Sequence, residues 1–310
     1  MLSNRHHSNY QGRQQGIALL TAMLIVSIAT VIMVSLSHEQ SFTIRKTSHL
    51  QNLERARLYS LGMEDWAQIF LQKDRDDNET DHLGEDWNIG VPALPIEGGH
   101  LSGFLEDSQA RINLNNLNSE QGKSNHTLNR FLRLCEDLEV DTAFIPALQD
   151  WLDDDSDVRF PDGAEDDYYA GLDVPYRSAN QLMADISELR LVKGVTAEMY
   201  QILAPHITTL PGTTALNINT ISETIYLTLD KNLDEKKFIE ERKEKEFKNM
   251  ADFSERMKVN IETDELDVKT EFFRATGQVT QGDFVLSMST LIHRDEKGNT
   301  TVLSRRLSDF

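Results

Sequence analysis

The feature that most constrains this chain is an uncharged stretch of twenty-two residues near its N-terminus, 16–37. At ~1.5 Å rise per residue, a helix of that length crosses a ~30 Å hydrocarbon layer. The segment before it, 1–16, contains Arg5 and Arg13 and no acidic residue. We therefore expect one membrane-spanning helix, with the short leader inside and the large acidic remainder outside.

The leader ends in Gln15-Gly16-Ile17, and this junction resembles the type IV prepilin signal. In prepilins a membrane peptidase cuts after the glycine, and the apolar helix stays on the mature protein. The resemblance implies cleavage between Gly16 and Ile17. Two other interpretations stay open at this point: a plain membrane anchor, and a secretory signal cut near residues 35–37, after the apolar run.

The helical pattern continues beyond the span as an amphipathic stretch. Apolar residues recur every three or four positions, and no proline interrupts residues 17–73. This apolar stripe consists of Leu50, Leu53, Ala56, Tyr59, Met63, Trp66 and Phe70. The pattern predicts a stalk helix, half in the bilayer and half packed on a globular head. A membrane helix followed by a separate core helix is the alternative.

Composition and motifs exclude several function classes. The net charge of −20 argues against a nucleic-acid surface, which needs clustered Lys and Arg. Residues 193–196 faintly resemble the joint of a DNA-binding helix-hairpin-helix, but they lie in an acidic region, and we interpret them as a structural hairpin. Cys135 is the single cysteine, so it forms no intramolecular disulfide, and we expect it in the core. The sequence lacks a serine elbow, an HExxH motif and a phosphate-binding glycine loop, so we expect no enzyme.

The most unusual local chemistry lies in residues 150–173, where ten acidic residues accompany one base, Arg159. So many carboxylates repel one another unless a cation neutralises them. Oxygen ligands without nearby His favour Ca²⁺ and exclude a zinc site. Asp153, Asp155 and Asp157 match the first, third and fifth positions of an EF-hand loop, but the match ends there. A solvated acidic loop is the alternative; the interleaved aromatic residues favour bound calcium.

The rest of the chain predicts an α+β fold in which helices interrupt a sheet. Strand patterns near the C-terminus cover 271–279, 284–293 and 300–307, separated by turn signals. We expect the charged run 230–257 to be helical and exposed, and 179–191 to be a helix. The expected divisions are as follows: a leader (1–16), the transmembrane half of the helix (17–37), the stalk with the first strands (38–119), an inserted acidic α-helical domain (120–211) and a return to the sheet (212–310).

Five motifs together resemble one family over essentially the full chain, the minor pseudopilin K of type II secretion systems. They are QQGIALL (14–20), ARINLNNL (110–117), DWLDDDSDVRFPDGAEDDYY (150–169), PYRSANQLMADISELRLVKGV (175–195) and LNINT (216–220). The resemblance implies a pilin-like fold, a long N-terminal helix packed on an antiparallel sheet, with a large helical domain inserted. It also implies calcium in that domain, with these candidate ligands: Asp153, Asp155, Asp157, Glu165, Asp166 and Asp167.

The function implied by the resemblance is structural. Such a subunit initiates and caps the periplasmic pseudopilus that exports folded proteins. Its implied partners are the prepilin peptidase, which leaves a methylated mature N-terminus, and minor pseudopilins I and J. The surface expected to contact I and J is Leu53, Ala56, Tyr59, Met63, Trp66 and Phe70.

The implied location is the bacterial inner membrane, with a single pass and the body in the periplasm. Thr21 occupies the fifth position after the expected cut, where most pilin-like subunits have Glu. Two alternatives remain: a membrane-anchored, calcium-dependent periplasmic binding protein, and an anchored DNA-uptake protein.

Overall fold

The computed structural model describes residues 12–118, 126–282 and 284–309. Most of the expected leader, residues 1–11, therefore lies outside the described part. The chain divides into two compact units, Met1–Leu58 and Tyr59–Phe310.

The secondary structure of the described residues consists of short helices and strands that follow one long helix. The α-helices are α1 (Gly12–Asp77), α2 (His126–Asp137), α3 (Ile145–Leu152), α4 (Asp166–Ala170), α5 (Ala197–Leu203), α6 (Glu223–Leu227), α7 (Glu235–Glu244) and α8 (Met250–Met257). The strands are β1 (Val91–Ile96), β2 (Gly99–Asp107), β3 (Ile112–Asn113), β4 (Ile207–Thr208), β5 (Leu216–Asn217), β6 (Leu266–Asp267), β7 (Phe272–Gln281), β8 (Phe284–Arg294) and β9 (Thr300–Asp309).

In the first unit, residues 17–37 of α1 carry no charge, and the large side chains between Ile17 and Leu36 are more than half exposed. Among the described residues, α1 is the helix long and apolar enough to cross a membrane. Three hydroxyl groups of this span donate within the helix: Thr21 Oγ1 to the Ala18 carbonyl at 3.0 Å, and the hydroxyls of Ser27 and Thr30 to carbonyls one turn earlier at 2.8 Å. An uncharged helical span whose hydroxyls bond to its own backbone suits a hydrocarbon environment.

In the second unit five strands form one antiparallel sheet in the order β1-β2-β7-β8-β9. Neighbours β2 and β7 are far apart in the chain, because β2 ends at Asp107 and β7 begins at Phe272. All the residues between them are therefore inserted into the sheet. The expected α+β, pilin-like class is confirmed, with a long N-terminal helix, an antiparallel sheet and a helical insertion.

The insertion is larger than the sequence indicated, since the sheet resumes at Phe272 and not near residue 212. The two similar segments 112–117 and 216–220 form only two-residue strands, β3 and β5, each in a small parallel pair. The reason is the same in both. The Asn113 Oδ1 accepts from the Asn115 N–H at 3.2 Å, and the Asn217 Oδ1 accepts from the Asn219 N–H at 3.0 Å. Each asparagine thus turns the backbone out of the strand.

The predicted exposure of 230–257 is wrong, because α7 and α8 contribute to the core. Phe238, Phe247 and Phe253 are fully buried, and Phe238 stacks on Tyr226 with ring centroids 3.9 Å apart. Cys135 is also buried in this core, as expected, and burial raises the pKa of its thiol to about 12. A thiol this protonated is no nucleophile.

The expected helix over 179–191 is reduced to a 3₁₀ turn, Ile186–Leu191. The Asp185 side chain accepts from the Ser187 N–H at 2.9 Å, and the Glu188 side chain accepts from the Asp185 N–H at 3.1 Å. This capping box fixes the helical start at residue 186.

Candidate metal centre and partner surface

The acidic loop between α3 and α4 brings three carboxylates together. Asp153, Asp155 and Glu165 each offer an oxygen, and these oxygens lie within 4.8 Å of one another. Asp153 directly follows the last residue of α3, and Glu165 directly precedes the first residue of α4. The ends of two helices therefore position the two buried carboxylates, and the loop between them supplies the exposed one.

Several oxygens at this cluster are buried without a hydrogen-bond donor among the described residues. They are both carboxylate oxygens of Glu165, Oδ1 of Asp153 and Oδ1 of Asn180. Burying an oxygen without a hydrogen-bond donor costs free energy, because the lost hydration is not replaced by another bond. Burial, and then the charges of Asp150 and Asp153, raise the pKa of Glu165 to about 7. A hard cation would satisfy all of these oxygens at once, and this donor set fits Ca²⁺.

Asp150 and Arg159 hold the loop in this shape. The fully buried Asp150 accepts from the Ala164 N–H at 2.8 Å and pairs with Arg159 Nε at 3.3 Å. Arg159 Nη2 also donates to Asp153 Oδ2 at 2.7 Å, which leaves Oδ1 turned towards the cluster. A Cβ at Gly163 would lie 2.2 Å from Asp150 Oδ2, so only glycine fits there.

Three of the six expected ligands lie in this cluster, and the structure does not bring the other three into it. Asp157 is exposed, and so are Asp166 and Asp167 in the first turn of α4. The Asp166 Oδ1 instead accepts from the Ser178 N–H at 3.0 Å. Sequence reasoning missed Asn180, although it lies in the YRSAN motif; its Nδ2 donates to the Asp155 carbonyl at 2.7 Å.

The hairpin at Lys193-Gly194 contacts the acidic loop of the same chain. Lys193 Nζ donates to the carbonyls of Asp162 and Gly163 at 3.2 and 3.1 Å and lies over the Tyr168 ring. Gly194 has φ +85°, a conformation that favours glycine. The lysine supports the acidic loop, which agrees with a structural hairpin.

The predicted partner stripe on α1 is only partly available to a partner. Ala56 is buried, and Leu53, Tyr59, Met63 and Phe70 are half-buried, whereas the Trp66 side chain is 43% exposed. Trp66 packs against Phe70, with ring centroids 4.4 Å apart and the ring planes tilted by 53°.

Within the second unit, part of this stripe borders a shallow apolar groove. The stripe contributes Met63, Trp66 and Phe70, and the 89–104 region contributes Ile89, Val91 and Phe104. Ile89 is 68% exposed and Phe104 49%. The sequence did not indicate Ile89, Val91 or Phe104 as groove residues, because a strand pattern does not show which of its side chains lie beside a distant helix.

Gly16 and Ile17, the expected cleavage residues, lie within α1, and Ile17 is exposed. A long N-terminal helix with an uncharged span, an antiparallel sheet and a helical insertion with a carboxylate cluster define a pilin-like subunit whose first helix is long and apolar enough to cross a membrane.

Comparison with known proteins identifies the family. A family described as "Type II secretion system (T2SS), protein K" matches residues 110–212. The type II secretion system protein K of Aeromonas hydrophila is 32% identical, covering 96% of this chain and 97% of the relative. That of Pseudomonas aeruginosa is 31% identical, covering 94% and 92%. This chain belongs to the type II secretion system protein K family.

A solved structure agrees with this assignment. The fold is similar to a chain in the crystal structure of the GspK-GspI-GspJ complex from enterotoxigenic Escherichia coli, with a TM-score of 0.76 and 26% identity. The match covers 85% of this chain and 99% of that chain. The predicted resemblance to the minor pseudopilin K is confirmed, and the family is a structural component of a secretion system.

Proposed function

We propose that this chain initiates and caps the tip of a periplasmic pseudopilus that exports folded proteins. The observation that carries this proposal is the insertion of all residues between Asp107 and Phe272 into the sheet. A head enlarged in this way obstructs the stacking of identical copies along a fibre. A terminal position, with one copy per fibre, accommodates it.

The membrane span supports the same position. No acidic residue occurs in residues 17–37, so the span has no carboxylate to neutralise a neighbour's terminal amine. Thr21 bonds to its own helix and needs no such neighbour. An unpaired carboxylate in hydrocarbon is costly, and a subunit loaded first has no amine ahead of it to pair with one.

The partners are minor pseudopilins I and J, since the similar solved chain is part of a GspK-GspI-GspJ complex. The apolar groove at Trp66 is their docking surface, because it exposes Trp66, Ile89 and Phe104 to water. The exposed carboxylates Asp65 and Asp86 flank these residues in sequence. A partner that docks here should therefore present a helix with an apolar stripe and neighbouring basic residues.

The acidic loop holds calcium, with Asp153, Asp155 and Glu165 as ligands and the amide oxygen of Asn180 as a fourth donor. Arg159 orients Asp153, and Asp150 fixes the loop backbone. The ion supplies a positive charge that lets the buried carboxylates stay ionised; its role is structural. The prepilin peptidase cuts between Gly16 and Ile17, the new N-terminus is methylated, and the body lies in the periplasm.

Complementation of a strain that lacks its own protein K tests the function. The full chain should restore secretion of a folded enzyme, and detergent extracts should contain it with I and J in equal amounts. N-terminal sequencing of the extracted protein should begin at Ile17. Two results would contradict the proposal. One is a complemented strain that secretes no more enzyme than the deletion strain; the other is an extracted chain that begins at or after His38.

A further inference from the structure

A second cluster of carboxylates, three of them buried and one half-buried, lies where the insertion leaves and re-enters the sheet. It is separate from the acidic loop, and we call it the junction cluster. Its members are Asp74, Asp81, Glu85, Asp107 and Arg294. Asp107 ends β2, and Arg294 ends β8. The cluster therefore joins the sheet to the first and last residues of the insertion.

Arg294 is the buried cation of the junction cluster, and its guanidinium bonds to two carboxylates and two backbone carbonyls. Its Nη1 donates to Asp74 Oδ2 at 2.7 Å, and its Nη2 pairs with Asp81 Oδ1. The same side chain donates to the carbonyls of Leu71 and Thr270 at 3.2 and 3.1 Å. Arg294 thus pairs with Asp74 and Asp81, and its single positive charge, already shared between those two carboxylates, does not balance Glu85 or Asp107.

Asp107 ties both ends of the insertion together. Its Oδ2 accepts from the hydroxyls of Thr220 and Thr270, both at 2.5 Å, and from Asn217 Nδ2 at 2.9 Å. Its Oδ1 accepts from the Gln109 N–H at 2.7 Å. Every donor is neutral, and burial raises the pKa of Asp107 to about 6.

Glu85 is also surrounded by neutral donors and by negative charge. Its Oε2 accepts from Trp87 Nε1 at 2.5 Å and from the His82 N–H at 2.9 Å, and its Oε1 accepts from Asn78 Nδ2. Burial, and less strongly the charges of Asp74 and Asp81, raise the pKa of Glu85 to about 7.

The described residues around the junction cluster leave it with excess negative charge. Three buried carboxylates and the half-buried Asp74 face one buried guanidinium, and His82, 3.7 Å from Glu85 Oε1, adds charge only when protonated. Arg75 and Lys269 border the neighbouring polar cleft. We propose that the junction cluster is a proton-operated clamp, in which protonation of Glu85 and Asp107 tightens the insertion on the sheet and their ionisation loosens it.

The surroundings allow protons to enter and to be accommodated. A polar cleft of about 1200 Å³ reaches Gln109, Thr270 and Arg294 of the cluster and its neighbours. The amide of Asn78 can donate or accept by rotating, so it suits both protonation states of Glu85. Trp87 connects the clamp to the proposed docking groove, because it bonds Glu85 and also borders that groove.

The direction of the pH effect follows from the two raised pKa values. The folded chain binds these protons more tightly than the unfolded chain, whose carboxyls have their ordinary pKa values. Stability from the clamp is therefore present at low pH and is lost as the pH rises to about 7. Above that pH both groups are ionised and the effect levels off.

Hydrogen exchange of the full-length chain in detergent, from pH 5 to 8 with calcium in excess, tests the clamp. After correction for intrinsic exchange, protection of residues 108–110 and 267–271 should fall about tenfold or more between pH 5 and 7.5 and then stay constant, since each pKa unit is worth a factor of ten. Glu85→Gln should remove most of that change. The matched control is Asp86→Asn, which alters an exposed neighbouring carboxylate and should leave the change intact.

Either of two results would overturn the proposal. One is protection in the wild type that does not vary with pH at these segments, which decides the matter even if the Glu85 variant fails to fold. The other is an equal pH change in the wild type and in Glu85→Gln.

Discussion

Glu64 on α1 and Arg305 on β9 form a bidentate ion pair. Arg305 Nε lies 2.7 Å from Glu64 Oε2, and Arg305 Nη2 lies 2.7 Å from Glu64 Oε1. Glu64 is buried to 3% exposure and also accepts from Thr290 Oγ1 at 3.0 Å. The pair lies on the same helix face as the buried Ala67 and Leu71. It therefore fixes which face of α1 meets the sheet and turns Trp66 outward.

Breaking this pair should destabilise the second unit. Glu64→Gln removes a two-bonded partner of Arg305 and leaves a buried amide in its place, so we expect the melting temperature to fall by roughly 5 °C. Asp76→Asn, which changes an exposed carboxylate on the same helix, is the control and should have no effect. Equal melting temperatures for the wild type and Glu64→Gln would show that the pair does not fix the helix.

Calcium should stabilise the folded chain. At a hundredfold excess over its dissociation constant, calcium adds about 2.7 kcal/mol by linkage, so chelation should lower the melting temperature. Glu165→Gln should remove most of this response, because Glu165 contributes two of the unpaired oxygens. Asp157→Asn should keep it, since Asp157 lies outside the cluster. A melting temperature that chelation does not change would mean a solvated loop.

Calcium binding should also depend on pH. Because the pKa of Glu165 is raised to about 7 without a cation, protons compete with calcium below neutrality. We expect calcium titrated calorimetrically to bind about tenfold more weakly at pH 6 than at pH 8. In Asp157→Asn the same pH dependence should remain. An affinity that is constant over this range would argue against Glu165 as a ligand.

Association with I and J should depend on the apolar groove. Trp66→Ser removes a large exposed aromatic side chain, the kind of residue that dominates protein interfaces, so the affinity for an I–J pair should fall at least about tenfold. Val174→Ser provides the control, because Val174 is 78% exposed and does not border the groove. If both variants bind equally well, docking takes place elsewhere.

The sequence was sufficient for features that depend on local pattern. The uncharged span, the long helix and the strands β7, β8 and β9 follow from periodicity, and turn residues mark their ends. The helical insertion was also recognised. Its end was placed too early, because residues 216–220 have a strand pattern whereas the Asn217 side chain ends the strand there.

The candidate sites depend on contacts distant in sequence, and these were harder to predict. The composition of 150–173 identified the acidic loop, but burial decides which carboxylates converge, and Asn180 comes from outside that range. The run 230–257 is predicted to be exposed because Lys and Glu dominate it, and this local pattern does not show that Phe238 is buried. The pairing of Glu64 with Arg305 connects residues far apart in the chain, and a local pattern does not show it.

Counting copies of this chain along isolated pseudopili tests the central claim most directly. A gold label attached through a cysteine introduced at the exposed Lys297 avoids the native thiol, because Cys135 is buried. If the chain caps the tip, each fibre should carry one label, at one end. Labels repeated along the length of the fibre would contradict it.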